Sequence, residues 1–245
     1  MLALGKEFKL YVRTLARLLY PPACAICRIP LLIEENHVCN DCNDCIEAVH
    51  PPACVRCTQP LPPYGQNSSL CQSCKSTRPH YTQGFTLVLY QESTRTIFHQ
   101  IKYGKKPWLL NIFSERLKGF ASRLDMNHYD LFVPVPLDPK RERDRGFNQS
   151  KLIAQILKRY TKSPIRVESV LMKKKKTNPQ SRLRRLERLD NLNNAFAVRN
   201  RKRLDGKRVL VVDDVFTTGS TVNECAKELK KAGAERVDFL AIGRA

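Results

Sequence analysis

The sequence predicts an α/β domain with a largely parallel sheet flanked by helices, preceded by a small cysteine-rich region that binds metal. From residue 81 onwards, apolar segments of strand length alternate with amphipathic segments of helix length, which is typical of parallel sheets. Before residue 81, nine of the ten cysteines lie between Cys24 and Cys74, mostly as Cys-x2-Cys pairs. We therefore divide the chain into residues 1–21, 22–80 and 81–245.

The first segment, residues 2–19, has the pattern of one amphipathic helix that ends at Pro21-Pro22. This helix either packs on its own protein or lies as a peripheral helix on an anionic membrane surface. Its apolar face is formed by Leu4, Phe8, Val12, Leu15 and Leu19.

The cysteine pairs of residues 22–80 predict two zinc sites. Lys and Arg interrupt the apolar stretches near the start, so we expect no secretory signal, and reduced cytosolic thiols favour metal over disulfides. Two Cys-x2-Cys pairs supply four thiolates for one tetrahedral zinc. The predicted sets are Cys24, Cys27, Cys39 and Cys42 for one site, and Cys54, Cys57, Cys71 and Cys74 for the other.

The ligands of the first site are open to one alternative. Cys42 and Cys45 also form a Cys-x2-Cys pair, so Cys45 can replace a member of that set. His37 is a lesser candidate, because an isolated histidine is more often not a ligand.

The elements from residue 81 onwards follow from periodicity and from Gly and Pro positions. Helices are predicted at Glu92–Lys102, Trp108–Leu124, Asn148–Tyr160 and Ser220–Ala232, the last with Gly233 as its C-terminal cap. Strands are predicted at Phe85–Tyr90, Leu131–Val135, Ser169–Met172, Ala195–Val198, Arg208–Val212 and Val237–Ile242.

Charge is the unusual feature of the composition. The chain carries a formal net charge of +20, and between residues 140 and 208 Lys and Arg exceed Asp and Glu by 17. A surface that basic attracts polyanions. The sequence has no apolar run near the roughly 18 residues of a membrane span, and we expect a cytoplasmic protein.

The most informative stretch runs from Val209 to Thr221. An apolar strand is followed by Asp213 and Asp214, and then by a turn rich in hydroxyl groups that leads into a helix. Ligands bind at the carboxyl ends of parallel strands, and the N–H groups of such a turn suit a phosphate. The turn residues are Thr217, Thr218, Gly219, Ser220 and Thr221.

Two carboxylates beside a phosphate cradle would repel the phosphate, so they suit ribose hydroxyls or a divalent cation. The stretch lacks the Gly-Lys-Ser/Thr of a Walker loop and the Gly-x-Gly-x-x-Gly of a dinucleotide fold. A plain strand–turn–helix with a solvated Asp pair is the alternative, and it leaves the run of hydroxyl residues unexplained.

This stretch closely resembles the 5-phosphoribosyl-1-pyrophosphate (PRPP) motif of the type I phosphoribosyltransferases. The resemblance implies that Asp213 and Asp214 meet the ribose hydroxyls, directly or through Mg²⁺. It also implies that the segment from Thr217 to Thr221 holds the 5′-phosphate.

Further motifs resemble the ComF competence family, which includes the GntX-like proteins. Residues 133–138, Val-Pro-Val-Pro-Leu-Asp, precede Arg145-Gly-Phe-Asn-Gln, and Lys102-Tyr103-Gly104 lies upstream. The last matching positions are Thr177, Gln180, Leu183, Arg188, Asn191, Ala195 and Phe196.

The ComF resemblance implies a phosphoribosyltransferase fold with an N-terminal double zinc ribbon. It implies a pyrophosphate loop at Leu137 and Asp138, near Arg145, and a mobile loop at about 173–190 that closes over PRPP.

Three functions are then open. The first is a DNA-uptake factor that binds PRPP with Mg²⁺ and single-stranded DNA. The second is an active phosphoribosyltransferase with a nitrogen acceptor. The third is a PRPP-sensing regulator, which would need a duplex-DNA reader. The zinc ribbons could serve as that reader, but no recognition helix is evident in the sequence.

Overall fold

The structure is a computed structural model that describes residues 20–32, 34–62, 69–125, 128–174 and 195–245. The predicted amphipathic helix at 2–19 lies outside the described residues. So does the greater part of the predicted mobile loop, including the ComF-like positions from Thr177 to Asn191.

The described elements alternate as the sequence predicts. Helices are α1 (Asn40–Asp44), α2 (Gln72–Ser76), α3 (Glu92–Lys102), α4 (Ser114–Arg123), α5 (Pro139–Arg145), α6 (Gln149–Arg159) and α7 (Ser220–Lys231), with 3₁₀ helices at Pro107–Phe113 and Arg201–Arg203. Strands are β1 (Gly84–Leu89), β2 (Leu131–Pro134), β3 (Arg166–Val167), β4 (Leu171–Lys173), β5 (Phe196–Val198), β6 (Arg208–Phe216) and β7 (Arg236–Arg244).

A five-stranded parallel sheet forms the centre, in the order β1-β7-β6-β2-β3, and β4 pairs with β5 in a separate antiparallel ribbon. The central strand β6 buries side chains on both faces, as parallel strands do. Leu210 and Val212 pack on the face covered by α3, α4 and α6, whereas Val209 and Val211 pack on the face covered by α7. The fold class predicted from the sequence is confirmed.

Most predicted elements have bounds shifted by a few residues, α5 and β3 were not predicted, and two elements differ most from the sequence-based bounds. The helix predicted at Trp108–Leu124 begins as a 3₁₀ helix at Pro107 and becomes α-helical at Ser114. The strand predicted at Arg208–Val212 continues to Phe216, because it pairs with β7 along its whole length. Asp213 and Asp214 therefore lie within the strand and not after it.

The cysteine region consists of two copies of one ribbon. In the first, an isolated bridge joins Ala23 to Pro30 and Cys24 N–H donates to the Ile29 carbonyl at 2.8 Å; in the second, Ala53 pairs with Pro60 and Cys54 donates to Gln59 at 2.8 Å. Each ribbon ends in a short helix that follows a cysteine, α1 after Cys39 and α2 after Cys71. The sequence repeats Pro-Pro-Ala-Cys-x2-Cys-x2-Pro-Leu at 21–31 and 51–61, a signal that the spacing analysis missed.

The two ribbons pack on opposite faces of the sheet. Cys24, Cys39 and Ile46 of the first ribbon join the apolar cluster of α3, α4 and α6. The cysteines of the second ribbon join the cluster of α7, β6 and β7. Both ribbons thus share a core with the sheet, and the boundary at residue 80 stays a prediction.

Candidate phosphate and metal sites

The turn after β6 has unused donors at the start of a helix. Thr217 and Thr218 are exposed, Gly219 is buried, and α7 begins at Ser220. Within the described residues, the N–H groups of Thr217, Thr218 and Gly219 donate no hydrogen bond. The hydroxyls of Thr218 and Ser220 lie 2.9 Å apart. Free N–H groups and hydroxyls at a helix N-terminus suit a phosphate.

Gly219 is required by this turn. Its φ is +78°, and a Cβ there would lie 2.6 Å from the Phe216 ring and 3.3 Å from the Tyr81 hydroxyl. Any other residue at position 219 would therefore have a strained backbone conformation, and its side chain would clash with Phe216.

The two carboxylates near the C-terminal end of β6 have different surroundings. Asp213 is buried, and its Oδ1 accepts hydrogen bonds from Ser150 Oγ at 3.0 Å and from Asp214 N at 2.9 Å. Burial, reinforced by the charge of Asp214, raises the pKa of Asp213 to about 7. Helix α6 thus fixes Asp213 through Ser150, a partner that the sequence analysis did not identify.

Asp214 is paired with a cation. Lys102 Nζ, at the end of α3, lies 2.7 Å from Asp214 Oδ2. At this distance the two charged groups form an ion pair. The geometry does not make a hydrogen bond, and within the described residues no other donor reaches this buried oxygen. Asp213 and Asp214 are thus two adjacent buried carboxylates, and Lys102 neutralises the second of them. Two adjacent carboxylates fit Mg²⁺ as well as ribose hydroxyls.

Lys102 also lines a basic cavity of about 370 Å³ beside Asp214. The other lining residues are Tyr103, Lys105, Arg141, Asp144 and Arg145. Burial lowers the pKa of Arg145, and the charge of Asp214 opposes that change. Helix α5 thus places Arg145 close to the carboxylate pair. Lys102 and Tyr103 were part of a family motif in the sequence but had no predicted role.

The two other predicted pyrophosphate-loop residues lie at the start of α5. Asp138 is its N-cap, and its Oδ1 accepts from Lys140 N at 3.0 Å and Arg141 N at 3.4 Å. Leu137 lines a neighbouring cavity with Pro136. The Asn148 side chain donates to the Val135 carbonyl at 3.0 Å and so ties this loop to α6. Asp138 thus has a structural role, and its pyrophosphate role stays a prediction.

The eight predicted metal ligands form two compact tetrads, and in each the four sulfurs lie within 4.8 Å of one another. Cys27 Sγ lies 3.7 Å from Cys39 Sγ, and Cys57 Sγ lies 3.6 Å from Cys71 Sγ. Four sulfurs at about 2.3 Å from a tetrahedral zinc would lie about 3.8 Å apart, whereas a disulfide bond is about 2 Å long. The donor sets therefore fit two zinc ions.

Backbone N–H groups favour the thiolate in the first cysteine of each ribbon. Burial opposes ionisation, but hydrogen bonds from the backbones of Cys39, Cys27 and Ile26 lower the pKa of Cys24 to about 6. Hydrogen bonds from the backbones of Cys71, Cys57 and Arg56 likewise outweigh burial and lower the pKa of Cys54 to about 7. A thiolate is the form that binds metal.

The alternative ligands of the first site lie outside the tetrad. Cys45 is exposed and caps the end of α1, and neither it nor His37 belongs to the cysteine group. Of the two sets that the sequence allowed, the structure assembles Cys24, Cys27, Cys39 and Cys42.

The second ribbon adjoins the phosphate turn. Arg244 Nη1 donates to the Thr217 carbonyl at 3.1 Å, Nη2 donates to Gln59 Oε1, and the guanidinium lies 5.2 Å from the Phe216 ring centroid. A cavity of about 680 Å³ lies between them, lined by Cys57, Cys71 and Cys74 on one side and by residues 216–220 on the other. One arginine therefore connects a metal ribbon to the phosphate turn.

Comparison with known proteins agrees with both halves of this architecture. A phosphoribosyl transferase domain model matches residues 144–242, and a double zinc ribbon model matches residues 15–76. Competence protein F of Haemophilus influenzae is 30% identical over 227 residues, which cover 91% of this chain and 96% of that protein. The chain belongs to the ComF competence-protein family.

Two further relatives have related names. The DNA utilization protein YhgH of Escherichia coli is 30% identical over 91% of this chain and 97% of its own length. The competence protein ComFC of Bacillus subtilis is 24% identical, covering 83% of this chain and 82% of its own. Membership of the ComF family and the double zinc ribbon, both expected from the motifs, are thereby confirmed. Among the described residues, none of the helices combines the length and apolar character needed to cross a bilayer.

Proposed function

We propose that this ComF-family protein binds PRPP with Mg²⁺ at the carboxyl end of β6 and handles single-stranded DNA in the cytoplasm during DNA uptake. One observation carries the PRPP assignment. A turn at residues 217–219, whose N–H groups donate no hydrogen bond within the described residues, follows a buried carboxylate pair after Val215 and Phe216, and Lys102 and Arg145 stand beside that pair. PRPP has a phosphate, ribose hydroxyls and a pyrophosphate, and each finds a matching group there.

Each part of the site would meet one part of the ligand. The N–H groups of residues 217–219 would hold the 5′-phosphate, and Asp213 and Asp214 would meet the ribose hydroxyls or hold Mg²⁺. Bound Mg²⁺ would neutralise pyrophosphate charge. Lys102 would exchange its ion pair with Asp214 for one with the pyrophosphate, so PRPP would loosen a contact of the free protein.

Charge and relationship support the DNA part of the proposal. Lys and Arg exceed Asp and Glu by 17 over residues 140–208, and the relatives are named for competence and DNA utilization. Phosphate contacts make DNA affinity fall steeply with salt.

The test is a calorimetric PRPP titration with and without Mg²⁺, run on protein whose zinc content is measured. We expect binding that depends on Mg²⁺ and about two zinc ions per chain. A parallel titration of single-stranded and duplex oligonucleotides at low salt should show preference for the single strand. Absence of PRPP binding contradicts the first part, and absence of DNA binding contradicts the second.

A phosphoribosyltransferase with a nitrogen acceptor is the second candidate. The cavity of about 680 Å³ beside the phosphate turn favours it, because its size is that of small-molecule sites. Pyrophosphate release from PRPP in the presence of one nucleobase or amine would establish turnover. PRPP that binds but is not consumed with any acceptor in such a panel would contradict this candidate.

A further inference from the structure

The basic cavity beside Asp214 has an exposed aromatic ring at its edge. Tyr103 follows the last residue of α3 and is 71% exposed, and its ring lies 4.7 Å from the ring of His99. Trp108, in the 3₁₀ helix that follows, is 51% exposed. Large aromatic side chains at this level of exposure contribute little to the core, so Tyr103 is available to a ligand.

The cations of the cavity differ in how they are held. Lys102 is paired with Asp214, and Arg145 donates to Gln149 Oε1. Lys105 and Arg141 are exposed, and across the ranges that the structure describes neither forms an ion pair. Four cations and one carboxylate, Asp144, thus line the cavity, and among the described residues two of these cations, Lys105 and Arg141, form no ion pair.

An exposed ring beside unpaired cations is the combination that binds single-stranded nucleic acid. Base–aromatic stacking needs a base whose face is free, and cations follow the backbone phosphates. Duplex DNA does not offer free base faces along its length, so this surface selects single strands.

We propose that single-stranded DNA binds in the cavity of Lys102, Lys105, Arg141 and Arg145 with a base stacked on Tyr103, and that it excludes PRPP from the same cavity. This inference rests on the proposed function and specifies where its two ligands meet. A DNA phosphate and the pyrophosphate of PRPP are both anions that need Lys102 and Arg145. One cavity of about 370 Å³ has room for one of them at a time.

The test is fluorescence anisotropy of a labelled oligothymidylate at low salt, with PRPP and Mg²⁺ added stepwise. We expect PRPP to displace the DNA competitively, so that the apparent DNA dissociation constant rises linearly with PRPP concentration and does not level off. Sodium chloride at the same ionic strength controls for salt.

Variants locate the DNA on the cavity. Tyr103→Ala should weaken DNA binding about 5- to 150-fold, the effect of losing one base stack, and should lower PRPP affinity much less, because PRPP has no base to stack on the ring. Tyr103→Phe should keep DNA affinity, because a phenyl ring also stacks. Lys105→Ala should lower the salt slope of DNA binding by about 1. The control is Tyr20→Ala, since Tyr20 is 86% exposed and lies outside this cavity.

The outcomes separate this inference from the proposed function. If DNA and PRPP each bind but PRPP leaves DNA affinity unchanged, the shared cavity is wrong and the proposed function stands. If Tyr103→Ala binds DNA as the unmodified protein does, the stacking platform is wrong. If neither ligand binds the unmodified protein, the proposed function itself fails.

Discussion

The two zinc ribbons share one sequence pattern and one backbone design, yet they contact different parts of the molecule. The first ribbon meets helices: the Gln100 side chain donates to the Ala25 carbonyl, and Arg116 donates to the carbonyls of Asn43 and Ile46 at 3.4 Å. The second ribbon meets the phosphate turn through Gln59, Arg244 and Thr217. Both ribbons thus share a core with the sheet, and the second also contacts the proposed ligand site.

This difference predicts that loss of metal has unequal consequences. Cys24 and Cys54 are equivalent positions, and both are buried, so Cys24→Ser and Cys54→Ser form a matched pair. Each should lose about one zinc per chain and lower the melting temperature. PRPP affinity should fall about tenfold more in Cys54→Ser, because a coupling of that size is typical between linked sites.

Zinc content, thermal unfolding and PRPP titration on both variants check this prediction below their melting temperatures. Equal losses of PRPP affinity, or a larger loss in Cys24→Ser, would show that the second ribbon does not support the site.

The role of the carboxylate pair can be tested independently of both ribbons, because Asp213 makes folding stability depend on pH. Asp213 has an ordinary pKa of 3.8 that the fold raises to about 7, so the folded state holds the proton more tightly and loses stability as pH rises from 4 towards 7. Asp213→Asn removes this loss and should stabilise the free protein by about 2–4 kcal/mol at pH 8. Denaturant unfolding from pH 5 to 8 should show a growing difference from the unmodified protein, and a difference that stays constant would contradict the assignment.

The phosphate turn can be disturbed without touching a metal ligand. Gly219→Ala places a methyl group 2.6 Å from Phe216 at φ +78°, and strain of this kind costs about 1–3 kcal/mol. We expect PRPP affinity to fall about tenfold. Gly206 has φ +63° with open space around its Cβ position, so Gly206→Ala should lose some stability and keep its PRPP affinity. Titrations in which both variants bind PRPP equally would show that the turn does not hold the phosphate.

The smallest effect is expected from the link between ribbon and turn. Arg244→Gln removes the donor to the Thr217 carbonyl while zinc remains bound, and one hydrogen bond is worth about 1 kcal/mol. PRPP affinity should fall about fivefold with zinc content unchanged. If PRPP affinity is unchanged, the hydrogen bond from Arg244 does not connect the ribbon to the turn. Packing around Tyr81 and Phe216 is then the remaining contact.

The local features of this molecule could be read from its sequence. Helix α3 was predicted with its observed bounds, because its apolar positions recur with helical spacing. The metal tetrads and the turn after β6 follow from residue type and spacing. These features depend on neighbours along the chain.

The features that were missed depend on contacts between distant residues. The length of β6 is set by its pairing with β7, and Lys102 meets Asp214 across 112 positions of the sequence. The placement of the ribbons on opposite faces arises from packing that neither ribbon specifies alone. Sequence periodicity does not carry this information, so the contacts of Lys102, Ser150 and Arg244 are evident only in the folded structure.

The central claim is that PRPP binds at the carboxylate pair and the turn that follows it. Calorimetric titration of PRPP and Mg²⁺ into the Asp213→Asn/Asp214→Asn double variant tests this claim most directly, with circular dichroism and zinc content showing that the variant is folded. We predict that the unmodified protein binds PRPP and that the folded double variant does not. PRPP affinity retained in the folded double variant would contradict the assignment of this site.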